Sequence, residues 1–301
     1  MKVLLTGASG YLGRYVLASL RAQGCDVVVL GRSLPAGFED VPLVHCDLLD
    51  GTNLAAAVQQ AGATHLLHLA WTTEYGAYWT SPLNFRWADA TLRLLQAFCD
   101  ASGQHVAIAG TCAEYDWAAG YLREDATPYA PATLYGVAKD ATRRMAAALC
   151  AGRGVSMAWG HIFFPFGPGE ATQRMLPSLL RVFRGQAAPF GVNLAAYRGM
   201  LYVPDAANAL ATLLLQGCNG NFNICSGQPA LIGDVVQTLA RLCGADAAPV
   251  LALATARPGD PPMLVGDNSR LRATGWRPVF TLEQGLAAMV QATLDAAEHT
   301  A

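Results

Sequence analysis

Short apolar runs alternate with amphipathic stretches over the first half of the chain. Residues 2–6 form an apolar run that predicts a strand, and the helical spacing of residues 14–23 predicts the helix that follows it. Further predicted strands cover 26–30, 42–46, 65–70, 105–110 and 155–160, and further predicted helices cover 52–61, 84–101 and 132–151. Such alternation predicts an α/β fold of the Rossmann type, with a doubly wound parallel sheet.

The pattern becomes looser from Pro165 onwards. Helices are predicted near 171–185, 205–216, 231–243 and 281–298, and short strands at 200–203, 221–224 and 250–253. We therefore expect a dinucleotide-binding domain over residues 1–164, with a segment near 199–218 that returns to it. The remainder, residues 165–301, is expected to form a smaller mixed α/β part that binds the substrate.

A turn with three evenly spaced glycines, Gly7, Gly10 and Gly13, follows the first predicted strand. Strand, glycine turn and helix succeed one another in this order in dinucleotide sites. The glycines allow the backbone to approach a pyrophosphate closely, and the N-terminus of the helix offers it free N–H groups. The predicted cofactor contacts in this turn are Gly7, Ser9, Gly10, Tyr11, Leu12 and Gly13.

The end of the second predicted strand indicates which nicotinamide cofactor binds. A carboxylate at this place selects NAD. Here the chain has Arg32 and Ser33, with no acid before Glu39. An arginine and a hydroxyl suit the 2′-phosphate of NADP, so NADPH is expected, with NAD as the alternative. The alternative without a cofactor role is that Arg32 is an ordinary arginine in a solvent-facing turn. Residues at the ends of later strands complete the predicted cofactor site: Asp47, Leu48, Leu69 and Ala70.

Tyr135 and Lys139 are one helical turn apart, so their side chains share a helix face. A cation about 4 Å from a phenolate attracts it by roughly 4 kcal/mol at an effective dielectric constant of about 20. Since one pKa unit corresponds to about 1.4 kcal/mol, the cation is expected to bring the phenol pKa near neutrality. Lysine occurs elsewhere only as Lys2. The pair is therefore a candidate proton donor and acceptor, or else an ordinary exposed helix pair.

Composition excludes several classes of protein. With 53% hydrophobic and 14% charged residues and a net charge of −2, the chain is neither disordered nor a nucleic-acid binder. Its 8 cysteines lack metal-ligand spacing, so no bound metal is expected. Unpaired cysteines of this kind are typical of proteins in the reducing cytoplasm, which is the expected location. No signal peptide or long apolar run is found, which predicts a soluble protein without membrane contact.

An aromatic-rich loop over residues 71–79 lies beside the predicted crevice. It serves either as a lid over a sugar or base, with Trp71 as a candidate substrate contact, or as ordinary loop packing.

The glycine turn, Thr111 and the Tyr135/Lys139 pair together resemble the extended short-chain dehydrogenases/reductases of the sugar-nucleotide epimerase/dehydratase family. The resemblance runs essentially from end to end. Other matching segments are His68-Leu69-Ala70, Phe166-Gly167-Pro168, Arg198, Arg257-Pro258-Gly259-Asp260, Gly275-Trp276 and Leu282-Glu283-Gln284-Gly285-Leu286.

The resemblance implies a role for each matched residue. Tyr135 would be the catalytic acid and base, Lys139 would anchor the ribose and lower the pKa of Tyr135, and Thr111 would hydrogen-bond the reacting carbonyl. Arg198 and Arg257 would clamp a nucleotide diphosphate, for which guanidinium groups are suited. It also implies a homodimer formed through the helices near 84–101 and 132–151.

Departures from the family pattern narrow the expected chemistry. Dehydratases of the family carry Asp-Glu after the threonine, whereas this chain has Cys112 and Ala113. Members that epimerise before reduction carry a cysteine at the position of Ala113. His161 and Phe164 replace the arginine and asparagine that the family often has. Hydride transfer to a carbonyl remains, with Tyr135 as proton donor and Thr111 polarising the carbonyl.

These features predict an NADPH-dependent reductase of a nucleotide-linked 4-keto-6-deoxy sugar, a step of deoxysugar biosynthesis. An NAD-dependent C4 epimerase of a nucleotide sugar is the alternative. A reductase of a small non-nucleotide ketone is a further alternative, but it would leave Arg198 and Arg257 without a ligand. A non-catalytic NADPH sensor with this fold would leave the Tyr135/Lys139 pair without a role.

Overall fold

A computed structural model of the protein describes residues 1–256 and 259–298, and in this part of the chain a parallel sheet of seven strands forms the centre. Its strands are β1 (Lys2–Thr6), β2 (Asp26–Gly31), β3 (Leu43–His45), β4 (His65–His68), β5 (His105–Thr111), β7 (Ser156–Ile162) and β11 (Gly220–Ile224). They lie in the order β3-β2-β1-β4-β5-β7-β11. The predicted α/β, doubly wound sheet is therefore confirmed.

Helices cover both faces of this sheet, which explains why its strands read as nearly continuous apolar runs. They are α1 (Tyr11–Ala22), α2 (Leu54–Ala61), α3 (Leu83–Asp100), α4 (Leu134–Gly152) and α6 (Val203–Leu215). Val3 and Leu5 point to the face covered by α1 and α6, whereas Leu4 points to the face covered by α2, α3 and α4. Each such side chain contributes about 1.5–3 kcal/mol when fully buried.

The second half of the chain builds a smaller layer beside the sheet. It includes the short strands β8 (Pro165–Phe166), β9 (Tyr197–Arg198), β10 (Leu201–Tyr202), β12 (Ala230–Leu231) and β13 (Met263–Gly266), with β6 (Tyr121–Leu122) from the first half. It also includes the helices α5 (Met175–Phe183), α7 (Ile232–Leu242), α8 (Ala248–Leu251), α9 (Ser269–Ala273) and α10 (Leu282–Glu298). Strands β12, β9, β13 and β6 form a second sheet, and β10 pairs with β8.

Two segments of the second half differ from expectation. The strand predicted at 221–224 exists as β11, but it pairs in parallel with β7 and so extends the large sheet. The strand predicted at 250–253 is wrong, because Ala248–Leu251 forms α8 with a proline in its first turn. Helix α6 also packs on α1. A domain boundary at residue 164 stays a prediction.

The carboxyl ends of β1, β4 and β5 meet at one edge of the sheet. A buried histidine links two of these elements to α3: Thr6 Oγ1 lies 2.7 Å from His68 Nδ1, and Thr91 Oγ1 lies 2.9 Å from His68 Nε2. Burial lowers the pKa of His68 to about 3, so its ring is neutral. The imidazole therefore serves this edge as a hydrogen-bonding group. None of the helices in the described residues is long and apolar enough to cross a membrane.

Candidate active site

The glycine turn passes directly against the end of β4. Gly7 has a φ of +74°, and a Cβ added there would lie 2.7 Å from Ala70 N. A Cβ added at Gly13 would lie 1.9 Å from Gly7 O. Glycine is therefore required at both positions, the first for its backbone conformation and the second for the close approach of α1 to the turn.

The N-terminus of α1 has no anionic or side-chain partner of its own. Its N-cap is Gly10, which provides no side-chain hydrogen bond, and the first turn of the helix contains no acid. The free N–H groups and the positive end of the helix dipole are thus available to an anion. The turn from Gly7 to Gly13 fits the pyrophosphate of a dinucleotide.

The residues predicted to contact the adenosine also converge. Arg32 and Ser33 follow β2 and are exposed, and Arg32 Nη1 lies 4.0 Å from Asp47 Oδ2. Asp47 Oδ1 accepts a hydrogen bond from Leu49 N at 3.0 Å, and Leu48 is buried. An exposed arginine and hydroxyl therefore stand at this end of the site, next to a single carboxylate.

Thr111 is held in place as the N-cap of a single 3-10 turn. Its hydroxyl oxygen accepts a hydrogen bond from Ala113 N at 3.2 Å, and its own N–H donates to Glu114 Oε1 at 2.8 Å. The Glu114 carboxylate, which is 0% exposed, also accepts from Trp159 Nε1 at 3.1 Å. This reciprocal pattern is a capping box, which fixes the direction of the threonine side chain.

Tyr135 and Lys139 are both buried, at 8% and 3% exposure, so the alternative of an exposed helix pair is wrong. Helix α4 begins after Thr133, whose hydroxyl caps Gly136 N at 3.1 Å. The Tyr135 ring meets the ring of Tyr78 edge to face, with 5.0 Å between their centroids. The phenol of Tyr135 is close enough to the Thr111 hydroxyl for a hydrogen bond to affect its pKa.

The aromatic loop forms one wall of this site. A buried asparagine, Asn84, fastens it: Asn84 Oδ1 accepts from Trp71 Nε1 at 2.9 Å and Asn84 Nδ2 donates to Tyr78 O at 2.7 Å. Tyr135 N donates to Trp79 O at 3.1 Å. Trp71, Tyr78 and Trp79 thus pack around the Tyr135/Lys139 pair, which supports the packing interpretation for this part of the loop.

A cleft of about 620 Å³ lies between the glycine turn and the smaller layer. Tyr11, Tyr75, Arg174 and Arg198 are among the residues that line it. The guanidinium of Arg198 is already engaged, because it donates to Asp260, Tyr197 O and Pro261 O. Arg257, the second predicted diphosphate ligand, lies outside the described residues.

Comparison with known proteins agrees with this geometry. The sequence profile of the NAD dependent epimerase/dehydratase family matches residues 3–225. The chain belongs to this family.

Relatives in the family have several activities. UDP-glucose 4-epimerase from Azospirillum brasilense is 28% identical over 307 residues, which covers 92% of this chain and 87% of that protein. GDP-6-deoxy-D-mannose reductase from Pseudomonas aeruginosa is 27% identical over 311 residues, with 96% of each chain covered. Among solved structures, that of MoeE5 in complex with UDP-glucose and NAD superposes on this protein with a TM-score of 0.83 and 27% sequence identity. The match covers 99% of this chain and 100% of MoeE5.

Membership makes the protein an enzyme of the extended short-chain dehydrogenase/reductase type, in a family of sugar-nucleotide epimerases, dehydratases and reductases that depend on NAD(P). In the residues that the structure describes, no cluster of three or more His, Cys, Asp and Glu side chains is placed to hold a metal ion.

Several residues of the site were not predicted. Glu114 and Asn84 hold Thr111 and Trp71, and Glu170 and Arg174 line the cleft. Only Glu114 had a readable signal, the Thr-x-x-Glu spacing of a capping box. His161 belongs to the same support: its Nδ1 lies 3.3 Å from Thr111 O and its Nε2 lies 3.2 Å from the hydroxyl of Tyr129.

The electrostatics of the Tyr135/Lys139 pair differ from the expected arrangement. Burial raises the pKa of Tyr135, and the hydrogen bond with Thr111 opposes that rise. Lys139 Nζ donates to Ala109 O at 2.8 Å and lies 3.9 Å from the ring centroid of Trp71. Burial lowers the pKa of Lys139 to about 7, although the carboxylate of Glu114 acts in the opposite direction. In this family member, the expected shift of the phenol pKa towards neutrality is therefore not found.

The lowered pKa of Lys139 predicts how stability depends on pH. Between pH 7, near its folded pKa, and pH 10.5, its ordinary value, the unfolded chain binds more protons at this residue than the folded chain. The free energy of unfolding should therefore rise with pH in this window, by at most about 1.4 kcal/mol per pH unit from this residue. Lys139→Met should flatten the rise in urea unfolding measured between pH 7 and about pH 9.

Lys2→Met, which replaces the other lysine, is the matched control and should keep the wild-type slope. Equal slopes for the wild type and Lys139→Met would show that Lys139 is not the group responsible.

Proposed function

We propose that this enzyme is an NADPH-dependent reductase of a nucleotide-linked 4-keto-6-deoxy sugar. The observation that carries the proposal is the pair of residues after Thr111. Cys112 and Ala113 stand where a dehydratase needs acid and base groups, and burial raises the pKa of the Cys112 thiol to about 12. The thiol is therefore neutral at physiological pH and is not a base.

The remaining groups suit reduction of a carbonyl. NADPH, when bound by the glycine turn, supplies hydride. Burial raises the pKa of Tyr135, so its phenol carries a proton at neutral pH that it can transfer to the more basic developing alkoxide. The Thr111 hydroxyl accepts from Ala113 N and lies beside the phenol of Tyr135, so the two hydroxyl groups can together polarise the carbonyl of a substrate.

Tyr135→Phe tests the proton donor directly. The variant keeps the ring and its contacts with Tyr78 but lacks the proton, so kcat should fall by roughly 10²–10⁴-fold. NADPH oxidation followed with a nucleotide 4-keto-6-deoxy sugar measures the loss, and NADPH fluorescence titration should give a nearly unchanged Kd. Tyr121→Phe, at an exposed tyrosine, should behave as the wild type. Full activity in Tyr135→Phe contradicts the assignment.

The second candidate function is an NAD-dependent C4 epimerase of a nucleotide sugar. It is favoured by the relative from Azospirillum brasilense, a UDP-glucose 4-epimerase. The two functions differ in their use of cofactor. An epimerase carries tightly bound NAD through purification and consumes none, whereas a reductase depletes NADPH only when a keto sugar is supplied.

The end of β2 supports NADPH as the preferred cofactor. Arg32 is exposed and free to reach a 2′-phosphate, and it lies near the single carboxylate of Asp47. Because a charge-assisted hydrogen bond is worth about 1.5–3 kcal/mol, Arg32→Ala should weaken NADPH binding by at least tenfold. Calorimetric titration should show NADH binding unchanged. Arg241→Ala, at an exposed arginine paired with Glu283, is the control. Unchanged NADPH affinity in Arg32→Ala would exclude this role for Arg32.

The proposed substrate, a nucleotide-diphosphate sugar, fits a cleft lined by Arg174 and Arg198. We retain Trp71, Thr111, Arg198 and Arg257 as the proposed substrate contacts. MoeE5, similar over its whole length, was solved with UDP-glucose. All eight cysteines are free, which supports the proposal of a cytoplasmic location.

We propose that the enzyme forms a homodimer through α3 and α4. These packed helices expose the apolar side chains of Phe85, Val137 and Met145, at 63%, 48% and 57%. A charge at the centre of such a surface should prevent association, so Val137→Glu should be monomeric in size-exclusion chromatography with light scattering. Val279→Glu, at an exposed valine outside these helices, should leave the dimer intact. A monomeric wild type, or a dimeric Val137→Glu, would refute the proposed interface.

A further inference from the structure

Two residues that line the cleft each have a buried polar atom with no hydrogen-bond partner among the described residues: the hydroxyl of Tyr11 and Oε2 of Glu170. Both residues line the cleft of about 620 Å³. Tyr11 is the first residue of α1, and Glu170 lies in the segment between β8 and α5. Buried polar groups of native proteins are nearly always paired with protein or ordered water, so two unpaired ones on residues that line the same cleft point to a polar partner bound there.

The position of Glu170 is fixed by the cofactor helix. Tyr15 of α1 donates its hydroxyl to Pro168 O at 2.8 Å, and Arg14 Nη2 donates to Gly169 O at 3.2 Å. Within the segment, Glu170 N donates to Gly167 O at 3.3 Å. The carboxyl group of Glu170 is therefore held next to α1 by contacts that do not involve the carboxyl group itself.

The charges around Glu170 leave it available to a ligand. Arg174 is the cation that acts on it, and its effect is smaller than that of burial, which raises the pKa of Glu170 to about 7. Burial raises the pKa of the Tyr11 phenol, and the nearby charge of Glu170 raises it further. No hydrogen bond joins Tyr11 to Glu170 in the described structure, so each keeps its bonding capacity.

The two side chains have complementary hydrogen-bonding roles. The Tyr11 hydroxyl can donate, and a carboxylate oxygen of Glu170 accepts. One group that satisfies both is an alcohol, which accepts from the first and donates to the second. The cleft is lined by this pair and by Arg198 of the smaller layer, whereas Arg32 and Asp47 are not among its lining residues. This lining favours the substrate over the cofactor as the source of the alcohol.

We propose that Glu170 and Tyr11 form a subsite that binds a hydroxyl group of the sugar in the nucleotide-sugar substrate. This inference rests on the proposed function, since it requires that a nucleotide sugar occupy the cleft. The pair would then decide which sugars are accepted, because a sugar without a hydroxyl at that place leaves two buried polar groups unpaired.

Glu170→Gln and Tyr11→Phe test the subsite with little change of volume. The probes are three matched pairs, UDP with UDP-glucose, GDP with GDP-mannose, and dTDP with dTDP-glucose, titrated calorimetrically with NADPH present. For the pair that binds the wild type most tightly, each variant should weaken nucleotide-sugar binding by about tenfold, as expected for the loss of one such hydrogen bond. Binding of the nucleotide diphosphate without the sugar should be unchanged.

Controls and a separate titration of NADPH distinguish the possible results. Glu39→Gln and Tyr121→Phe, at an exposed glutamate and an exposed tyrosine, should bind all probes as the wild type does. If the two subsite variants weaken NADPH instead of the nucleotide sugar, the hydroxyl belongs to the cofactor and the sugar assignment is overturned.

Two further results would also overturn the inference, and they differ from each other. Unchanged affinity for a nucleotide sugar that the wild type binds refutes the subsite and leaves the proposed function standing. Failure of all three nucleotide sugars and all three nucleotide diphosphates to bind the wild type refutes the proposed nucleotide-linked substrate, and the subsite with it. A melting-temperature comparison of each variant with the wild type shows that the variants are folded.

Discussion

The buried side chain of Glu114 joins the elements that carry Thr111 and the Tyr135/Lys139 pair. It accepts hydrogen bonds from Thr111 N at the end of β5 and from Trp159 Nε1 on β7, and Arg143 Nε of α4 lies 3.5 Å away. A buried carboxyl group costs free energy unless its oxygens have hydrogen-bond partners. These partners must therefore stay in place, and α4 with them. Together with the hydrogen bond from Lys139 Nζ to Ala109 O, these contacts position the Tyr135/Lys139 pair relative to Thr111.

Desolvation affects the pKa values of Tyr135 and Lys139 more than the attraction between opposite charges does. The attraction expected from an adjacent ammonium, roughly 4 kcal/mol, would shift a phenol pKa by about three units. In the structure the ammonium of Lys139 turns to Ala109 O and the face of Trp71. Burial then favours the neutral form of both groups, raising the pKa of Tyr135 and lowering that of Lys139. A neutral phenol can donate a hydrogen bond or a proton.

The large sheet and the glycine turn were predictable because their signals are local. A strand that is buried on both faces is a continuous apolar run in the sequence. At Gly7 and Gly13, a Cβ atom would clash with neighbouring backbone atoms, so glycine is required there. The smaller layer lacks such signals, since β9 and β12 have two residues each and are defined by partners far along the chain. Glu170 shows the same limit: the tie between Tyr15 and Pro168 that positions it spans 153 residues. Likewise, the spacing of Tyr135 and Lys139 correctly placed both on one face of a helix. The direction of the Lys139 ammonium, however, is set by its hydrogen bond to Ala109 O, 30 residues away in the sequence.

Arg198 matches the family sequence pattern, but its charge is already paired within the protein. Its guanidinium donates to Asp260 and to two carbonyl groups, and Asp260 also accepts from Asn193 Nδ2 at 2.8 Å. A diphosphate approaching Arg198 would have to replace Asp260 as its partner, because a carboxylate repels the phosphate beside it. Arg174 is differently placed, with its guanidinium carbon 5.6 Å from the ring centroids of both Tyr75 and Tyr78. Affinity for a diphosphate in this cleft therefore depends on the exchange of Asp260 at Arg198 as much as on the number of arginines, and the diphosphate clamp implied by family resemblance stays a prediction.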